Sequence, residues 1–379
     1  MENKTKNKAI GFFGISPFQI MSAINIATNR KKLSKELFIF FTIEQSKSLS
    51  IINDLKKQNL FERIYVVNRE KKGLNIVYLL KTLFYPLKAI KDQISNYDEN
   101  LIFDEIYCTD CNSLMCALYI YNIKLNPSIK LHLIEDGARN YCNQFDNYKN
   151  LRKCMYFFSL PLYVDNFLDT VVFEPRMLNK QLHTSLKAIE QPKFYKNKKA
   201  LSITSKLYNN KIYKNEINPG DLIYFNQPFF KKNTPFLFKK IEKKVLKILK
   251  ENTKNEQFKF KSHPKIIDSS SFKNLIKTSA VEPYFINEQE KLDKITFVGV
   301  SSTVLFSPKL LFDKEPTIIF LHKIFKNCFK NSKEKKDLIC YIDGSFNRAT
   351  EKLKELYRNK SKIVSPNTIL ELEDILKNS

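Results

Sequence analysis

Three short polar pieces hold the side chains of this chain best suited to moving a proton and stabilising an anion: Glu135-Asp136-Gly137, His263-Pro264 and Ser301-Ser302-Thr303. Each follows a short strand-like run, Leu131 to Ile134, Phe258 to Lys261 and Ile295 to Val300, that reads as a buried strand. In an open α/β sheet ligands bind outside the carboxyl ends of the strands, so polar groups placed there are positioned for chemistry. A carboxylate pair can take the proton of a hydroxyl, a histidine titrates near neutrality, and hydroxyls at a helix start hold an anion. Together they form a kit for activating an acceptor hydroxyl while a phosphate departs.

Local chain chemistry fits each piece to its place. Gly137 lets the backbone turn where the two carboxylates emerge, and adjacent strand side chains point to opposite faces, so at least one acid can face a ligand. A carboxylate beside a second acid gains proton affinity, as a general base needs. Pro264 stops the strand ladder and fixes the backbone beside His263. The other histidines have less positional support: His132 lies inside a strand, His183 near an irregular stretch and His322 at a strand end. Ser301, Ser302 and Thr303 lead into an apolar stretch that begins a helix, where they serve as an anion site or as a plain N-cap. Near the start, Gly14-Ile15-Ser16-Pro17-Phe18-Gln19 follows the first strand but is no GxGxxG, so it carries no dinucleotide fingerprint. Ser16 and Gln19 are within reach of a substrate there.

The elements that must position these residues alternate. Ala9 to Phe13, Leu37 to Thr42, Ile64 to Val67, Glu105 to Cys108 and Lys130 to Ile134 read as strands, with amphipathic segments Gln19 to Ala27 and Asn75 to Ile94 between them. That alternation is the mark of βαβ units on a parallel sheet. Around Lys187 to Asn218 the pattern dissolves into Lys, Asn and Tyr and ends in the turn signal Asn218-Pro219-Gly220. Strands resume at Leu222 to Phe225, Phe258 to Lys261, Ile295 to Val300, Pro316 to Leu321 and Leu338 to Ile342, with helices at Phe236 to Lys250 and Asn347 to Tyr357. The expected division is a domain over 1–190, a linker over 191–220 and a second domain over 221–379.

Bulk properties bound the rest. The 379 residues suit two domains of roughly 150 to 200 residues each. With 43% hydrophobic and 27% charged residues, the chain is a folded globular protein. Its net charge of +25 favours anionic partners such as phosphates, nucleotide sugars, acidic glycolipids or a membrane surface. Abundant Lys, Asn, Ile and Phe beside seven glycines and no tryptophan is also what an AT-rich genome produces. The lysines are dispersed and no RNP-like or zinc pattern appears, which argues against nucleic acid as the partner. No apolar run reaches about 18 residues, and the start lacks a secretory signal core, so a cytoplasmic protein is expected. Met155 to Leu168, broken by Pro161 and Asp165, is apolar enough to lie on a membrane or pack on a partner. Seven cysteines without regular spacing suit a reducing compartment, and Cys108-x-x-Cys111 without a second pair reads as core cysteines, not a metal site.

The motif set resembles that of the bacterial sialyltransferases: an acidic pair plus Gly, then His-Pro, then a Ser/Thr group about 40 residues on. The strand-turn-helix opening with Ser16-Pro17-Phe18-Gln19, and Asn226-Gln227-Pro228 after the first strand of the second half, are most similar to glycosyltransferase family 52, the lipooligosaccharide sialyltransferases. The bacterial polysialyltransferases are close behind. The acidic pair is Glu-Asp here, where family members often carry Glu-Glu or Asp-Asp, so either Asp136 or Glu135 can be the base.

The resemblance implies an α/β fold of the GT-B type, two facing Rossmann-like domains with the active site in the cleft between them. It implies an inverting, metal-independent enzyme that moves sialic acid from CMP-sialic acid to a terminal galactose-type sugar of lipooligosaccharide or capsule. A polysialyltransferase, or another GT-B enzyme of surface polysaccharide assembly with a different nucleotide sugar, is the alternative. Asp136 would deprotonate the acceptor, with Glu135 as rival, and Gly137, Ser16 and Gln19 beside the substrate. His263 would protonate or stabilise the departing phosphate, and Ser301, Ser302 and Thr303 would hydrogen-bond it. Pro264, Asn226, Gln227 and Glu282 would border the nucleotide. No cofactor or metal is implied. A glycan or glycolipid acceptor, a homodimer and peripheral attachment to the inner face of the cytoplasmic membrane are further expectations.

Overall fold

A computed structural model describes residues 8–14, 16–30, 34–41, 49–68, 76–109, 113–142, 167–178, 187–209, 217–227, 236–254, 256–262, 281–326 and 341–378. The chain divides into two compact units. Unit 1 comprises Met1–Asp136, Gln144–Pro175 and Lys180–Asn210; unit 2 comprises Gly137–Asn143, Arg176–Asn179 and Lys211–Ser379.

Unit 1 is built on seven strands: β1 (Lys8–Gly14), β2 (Ser34–Phe41), β3 (Arg63–Asn68), β4 (Ile102–Cys108), β5 (Lys130–Ile134), β6 (Phe167–Val172) and β7 (Lys187–Glu190). They lie in the order β3-β2-β1-β4-β5-β6-β7, and every pair is parallel. The order reverses between β1 and β4, the switch point at which a doubly wound sheet leaves a crevice. Helix α1 (Pro17–Asn29) follows β1. Helices α2 (Leu49–Lys57), α3 (Ile76–Phe84), α4 (Pro86–Lys91) and α5 (Ser113–Leu125) follow the next strands. One core joins Phe13, Phe103, Ile106, Leu131 and Leu133 to Ala89 and Ile90 of α4 and Leu114, Ala117 and Leu118 of α5. Helices α3 and α4 replace the single helix expected over 75–94. Pro86 at the first position of α4 cannot continue the ladder of α3, and Tyr85 takes a non-helical backbone at the break.

Unit 2 carries the helical turn α6 (Ala138–Tyr141) and five parallel strands: β8 (Leu222–Phe225), β9 (Phe258–Lys261), β10 (Thr296–Gly299), β11 (Thr317–Phe320) and β12 (Ile363–Val364). Their order is β12-β11-β10-β8-β9, with the switch point between β8 and β10. The two sheets agree with the expected α/β class with two Rossmann-like domains.

Two expectations are corrected. The stretch 191–220 is largely not a linker: helix α7 (Lys198–Asn209) belongs to unit 1 and packs on α1 and α2. Ala200, Ile203, Leu207 and Tyr208 form its buried face at helical spacing, a weak signal hidden among lysines. Buried Asn25 of α1 anchors the preceding turn by donating to the Pro192 carbonyl at 2.7 Å and accepting from Asn197 at 2.9 Å. The second correction concerns the strand expected at 338–342, of which 338–340 lie outside the described residues. Tyr341–Phe346 is a π-helical turn leading into a helix at Asn347–Leu356, and Ile363–Val364 supplies the edge strand beside β11 instead. Phe346, at the end of that turn, packs edge-on against Phe306 and Phe320.

Candidate functional site

In unit 1 the carboxyl edge of the sheet is organised by one capping box. Ser16 caps α1: its Oγ accepts from the Gln19 N–H at 3.2 Å, and the Ser16 N–H donates to Gln19 Oε1 at 3.2 Å. The same Gln19 amide then donates from Nε2 to Asp136 Oδ1 at 2.7 Å. One residue thus starts the first helix and orients the carboxylate that follows β5. Ser16, expected near a substrate, spends its hydroxyl on the cap.

The adjacent acids differ in kind. Glu135 is fully buried, and its Oε2 accepts from the Phe173 N–H at 2.8 Å just beyond β6. Its own N–H donates to the Val171 carbonyl at 3.0 Å. That carboxylate closes the β5–β6 ladder. Asp136 is half-buried, so it is the acid of the pair that solvent and a ligand can reach.

Gly137 has φ +80, a conformation L side chains rarely adopt, and a Cβ built there would lie 1.9 Å from Thr303 Cγ2. Within unit 2, therefore, Gly137 sits against the end of the Ser301-Ser302-Thr303 turn, and the glycine is required twice over. Arg348, at the start of helix Asn347–Leu356, donates to the Tyr141 carbonyl of α6 at 3.1 Å. Nothing in the sequence pattern singled it out.

At the unit 2 switch point, Gln227 after β8 meets Ser301 after β10. Gln227 Oε1 accepts from the Ser301 N–H at 3.0 Å and from its Oγ at 3.2 Å. Ser302 begins the single turn Thr303–Leu305, and its side chain makes no cap hydrogen bond. A helix at Ser307–Phe312 follows. Asn226 extends the ladder by donating from its N–H to the Lys261 carbonyl at 3.0 Å. The helix Val281–Glu288, ahead of β10, carries Glu282 in its first turn. His263 and Pro264 lie outside the described residues, as do Cys111 and residues 151–166.

His132, set aside as a strand residue, is the centre of a buried charge network in mid-sheet. Its Nδ1 pairs with Asp169 of β6, and its Nε2 lies 3.5 Å from Glu105 Oε2 of β4. Tyr107 donates to Glu105 at 2.7 Å and stacks on the imidazole, and Arg30 beyond α1 lies 3.1 Å from Glu105. Burial opposes the charge on each group. For Glu105, hydrogen bonds from His132 and Tyr107 and the Arg30 charge outweigh it and hold the carboxyl down to about 2. For His132, the Asp169 and Glu105 contacts outweigh it and raise the imidazole above its ordinary value. Placed in mid-strand and not at the carboxyl edge, this network is structural.

Among the described residues no group of three or more His, Cys, Asp or Glu is arranged to hold a metal ion, and no helix is long and apolar enough to cross a membrane.

No protein-family model matches the sequence, and no curated protein matches it. Among solved structures the chain is similar to a UDP-N-acetylglucosamine 2-epimerase at 11% identity, covering 92% of this chain and 90% of that one with a TM-score of 0.47. It is similar to the wall teichoic acid polymerase TagF at 11% identity, over 99% and 89% of the two chains, with a TM-score of 0.46. The third is MurG of Acinetobacter baumannii, at 10% identity over 98% and 100%, with a TM-score of 0.40. Likeness this distant carries no argument about what the chain binds or does.

Proposed function

We propose that the protein is a glycosyltransferase that moves sialic acid from CMP-sialic acid to a terminal galactose-type hydroxyl of a surface glycan, with inversion. The observation that carries this reading is Asp136. It is half-buried at the carboxyl edge of a Rossmann-like sheet, and Gln19 fixes its carboxylate at 2.7 Å. A base for a sugar hydroxyl needs that combination of access and fixed direction.

In this reading unit 1 supplies the base and unit 2 holds the donor. Asp136 accepts the proton of the acceptor hydroxyl as its oxygen bonds to the anomeric carbon. The bond from that carbon to the CMP phosphate breaks on the opposite face, through an oxocarbenium-like transition state, and inverts the centre. The phosphate takes the bonding pair. Ser302, whose hydroxyl is not spent on a cap, donates to it, and Ser301, held by Gln227, sets the backbone there. His263 protonates or hydrogen-bonds the same phosphate, and Pro264, Asn226 and Glu282 border the nucleotide. A monophosphate carries less charge than a diphosphate, so hydroxyls, an imidazole and lysines are adequate donors. The buried Glu135 carboxylate, bonded to the Phe173 backbone, favours Asp136 over Glu135 as the base in this reading.

The test is release of CMP from CMP-sialic acid by purified protein in EDTA, with and without a lactose-type acceptor. Release that rises with acceptor supports the reading. No release in either arm, with turnover of a uridine or guanosine diphosphate sugar instead, would replace the donor while keeping a glycosyltransferase.

A further inference from the structure

Helix α8 (Phe236–Glu251) presents two faces of opposite character. Phe238, Val245 and Leu249 are buried in the unit 2 core. The opposite side carries Lys239, Lys240, Lys243, Lys244, Lys247 and Lys250, all exposed. At 3.6 residues per turn, Phe236, Lys240, Lys243 and Lys247 fall within about 60° of one another, a stripe running about 16 Å along the helix. At its start Phe236 is 80% exposed and Leu237 45%.

Lysine-rich composition does not account for this. The neighbouring helix Ile369–Lys377, packed on α8, carries Glu371, Glu373 and Asp374 against Lys377. The helix at Asn347–Leu356 balances Glu351 and Glu355 with Lys352 and Lys354. Of these three helices only α8 is uniformly basic on its solvent side; α7 lacks acids but carries three lysines, Lys198, Lys199 and Lys206, against six on α8. Its two acids offset little. Glu251 lies 3.6 Å from Lys247, and Glu242 is turned inward, where it accepts from Tyr224 at 3.1 Å and burial raises its carboxyl pKa.

We propose that this face of α8 docks the protein on an anionic lipid bilayer, the lysines against headgroup phosphates and Phe236 and Leu237 inserted at the boundary with the acyl chains. Lysines along a polar stripe with apolar side chains at the end is the pattern of an interfacial helix. The apolar pair selects a membrane over a soluble polyanion, which would reward the lysines and leave Phe236 and Leu237 in water. The inference is independent of which nucleotide sugar the protein uses.

The test is sedimentation of the full chain with vesicles of phosphatidylcholine alone and with added phosphatidylglycerol. The wild type is expected to sediment only with the anionic vesicles. Replacing three lysines together, Lys240→Glu, Lys243→Glu and Lys244→Glu, is expected to lower partitioning about 100-fold. Phe236→Ser with Leu237→Ser is expected to lower it about 10-fold and to make the remainder fully salt-sensitive. A control reversing Lys198, Lys206 and Lys360 makes the same change in net charge and is expected to keep most of the binding. Thermal melts check each fold, and the corresponding Lys→Gln set replaces any variant that unfolds. Equal loss in the α8 and control variants, or no sedimentation of the wild type, overturns the proposal. Retention on heparin that α8 reversal removes, without vesicle binding, overturns it in favour of a soluble polyanion.

Discussion

The two sheets keep their charges in opposite places. In unit 1 a histidine, two carboxylates and a tyrosine meet inside the sheet, across β4, β5 and β6, and Arg30 reaches Glu105 from beyond α1. In unit 2 the comparable positions are aromatic: Phe297 stacks on Phe285 and meets Phe225 edge-on, and Tyr224 packs against Phe260. There, among the described residues, Glu315 just before β11 at the amino edge is a carboxylate with several partners. It accepts from Lys309 at 2.7 Å and from the Arg358 side chain at 3.2 Å. Burial opposes its charge, but these bonds hold the carboxyl down to about 2. Unit 1 thus owes part of its stability to buried charges at mid-sheet whose loss is costly, whereas the mid-strand positions of unit 2 are filled by aromatic packing, and the buried Asp221 and Glu315 and the part-buried Glu242 lie off the strands.

The largest expected effect attacks that contrast directly. Asp169→Ala leaves the Nδ1 side of buried His132 without its carboxylate and should cost about 3 to 5 kcal/mol. Hydrogen exchange followed by mass spectrometry should show protection lost over β4, β5 and β6 and kept over β8, β10 and β11. Equal loss in both sheets would contradict independent cores. Next in size, Gly137→Ala should cost about 2 to 4 kcal/mol in unit 2, because a side chain at positive φ meets the Thr303 methyl. Adding Thr303→Ser removes that methyl and should recover about half, as read by denaturant unfolding. Failure of the second change to help would show that the backbone conformation alone sets the cost.

A smaller effect separates the units by pH. His132 is raised above its ordinary 6.5, so its contribution is present in full below that value and fades as pH rises through the folded value. Glu105 is held at about 2 against an ordinary 4.5, so its contribution is present above 4.5 and fades as pH falls toward about 2. Unit 1 should therefore weaken on both the acid and the alkaline side. Unit 2, with Glu315, should weaken with acid, and a pH series of exchange protection that shows alkaline loss there first would contradict the assignment. Smallest, Ser302→Ala should raise the KM for donor about 3- to 10-fold and leave the acceptor KM and the melting temperature unchanged. A change in acceptor KM would move Ser302 away from the phosphate.

Much of this was legible in the residues. Lys130–Ile134, Leu222–Phe225 and Phe258–Lys261 are the very strands expected, because each is a short β-rich run with a turn or polar break at its end. The doubly wound class followed from their alternation with amphipathic helices. Helix α7 escaped because its apolar positions are Ala, Ile, Leu and Tyr diluted by lysine, and because what docks its start is buried Asn25, which no hydrophobic pattern reveals. Tyr341 and Ile342 read as strand because a short apolar run has no period of its own. Among the site residues, Gln19 was legible as a helix-start residue, but its bond to Asp136 spans 117 positions and depends on the fold. The proposed choice of Asp136 over Glu135 rests on burial, which separates two neighbouring acids that sequence leaves equivalent.

The central claim is that Asp136 takes the proton from an acceptor hydroxyl, and acceptor-dependent CMP release by Asp136→Asn beside wild type tests it most directly. The account predicts release by wild type and a fall of about 1,000-fold in the variant, with CMP affinity and melting temperature unchanged. Release by Asp136→Asn at the wild-type rate would contradict it.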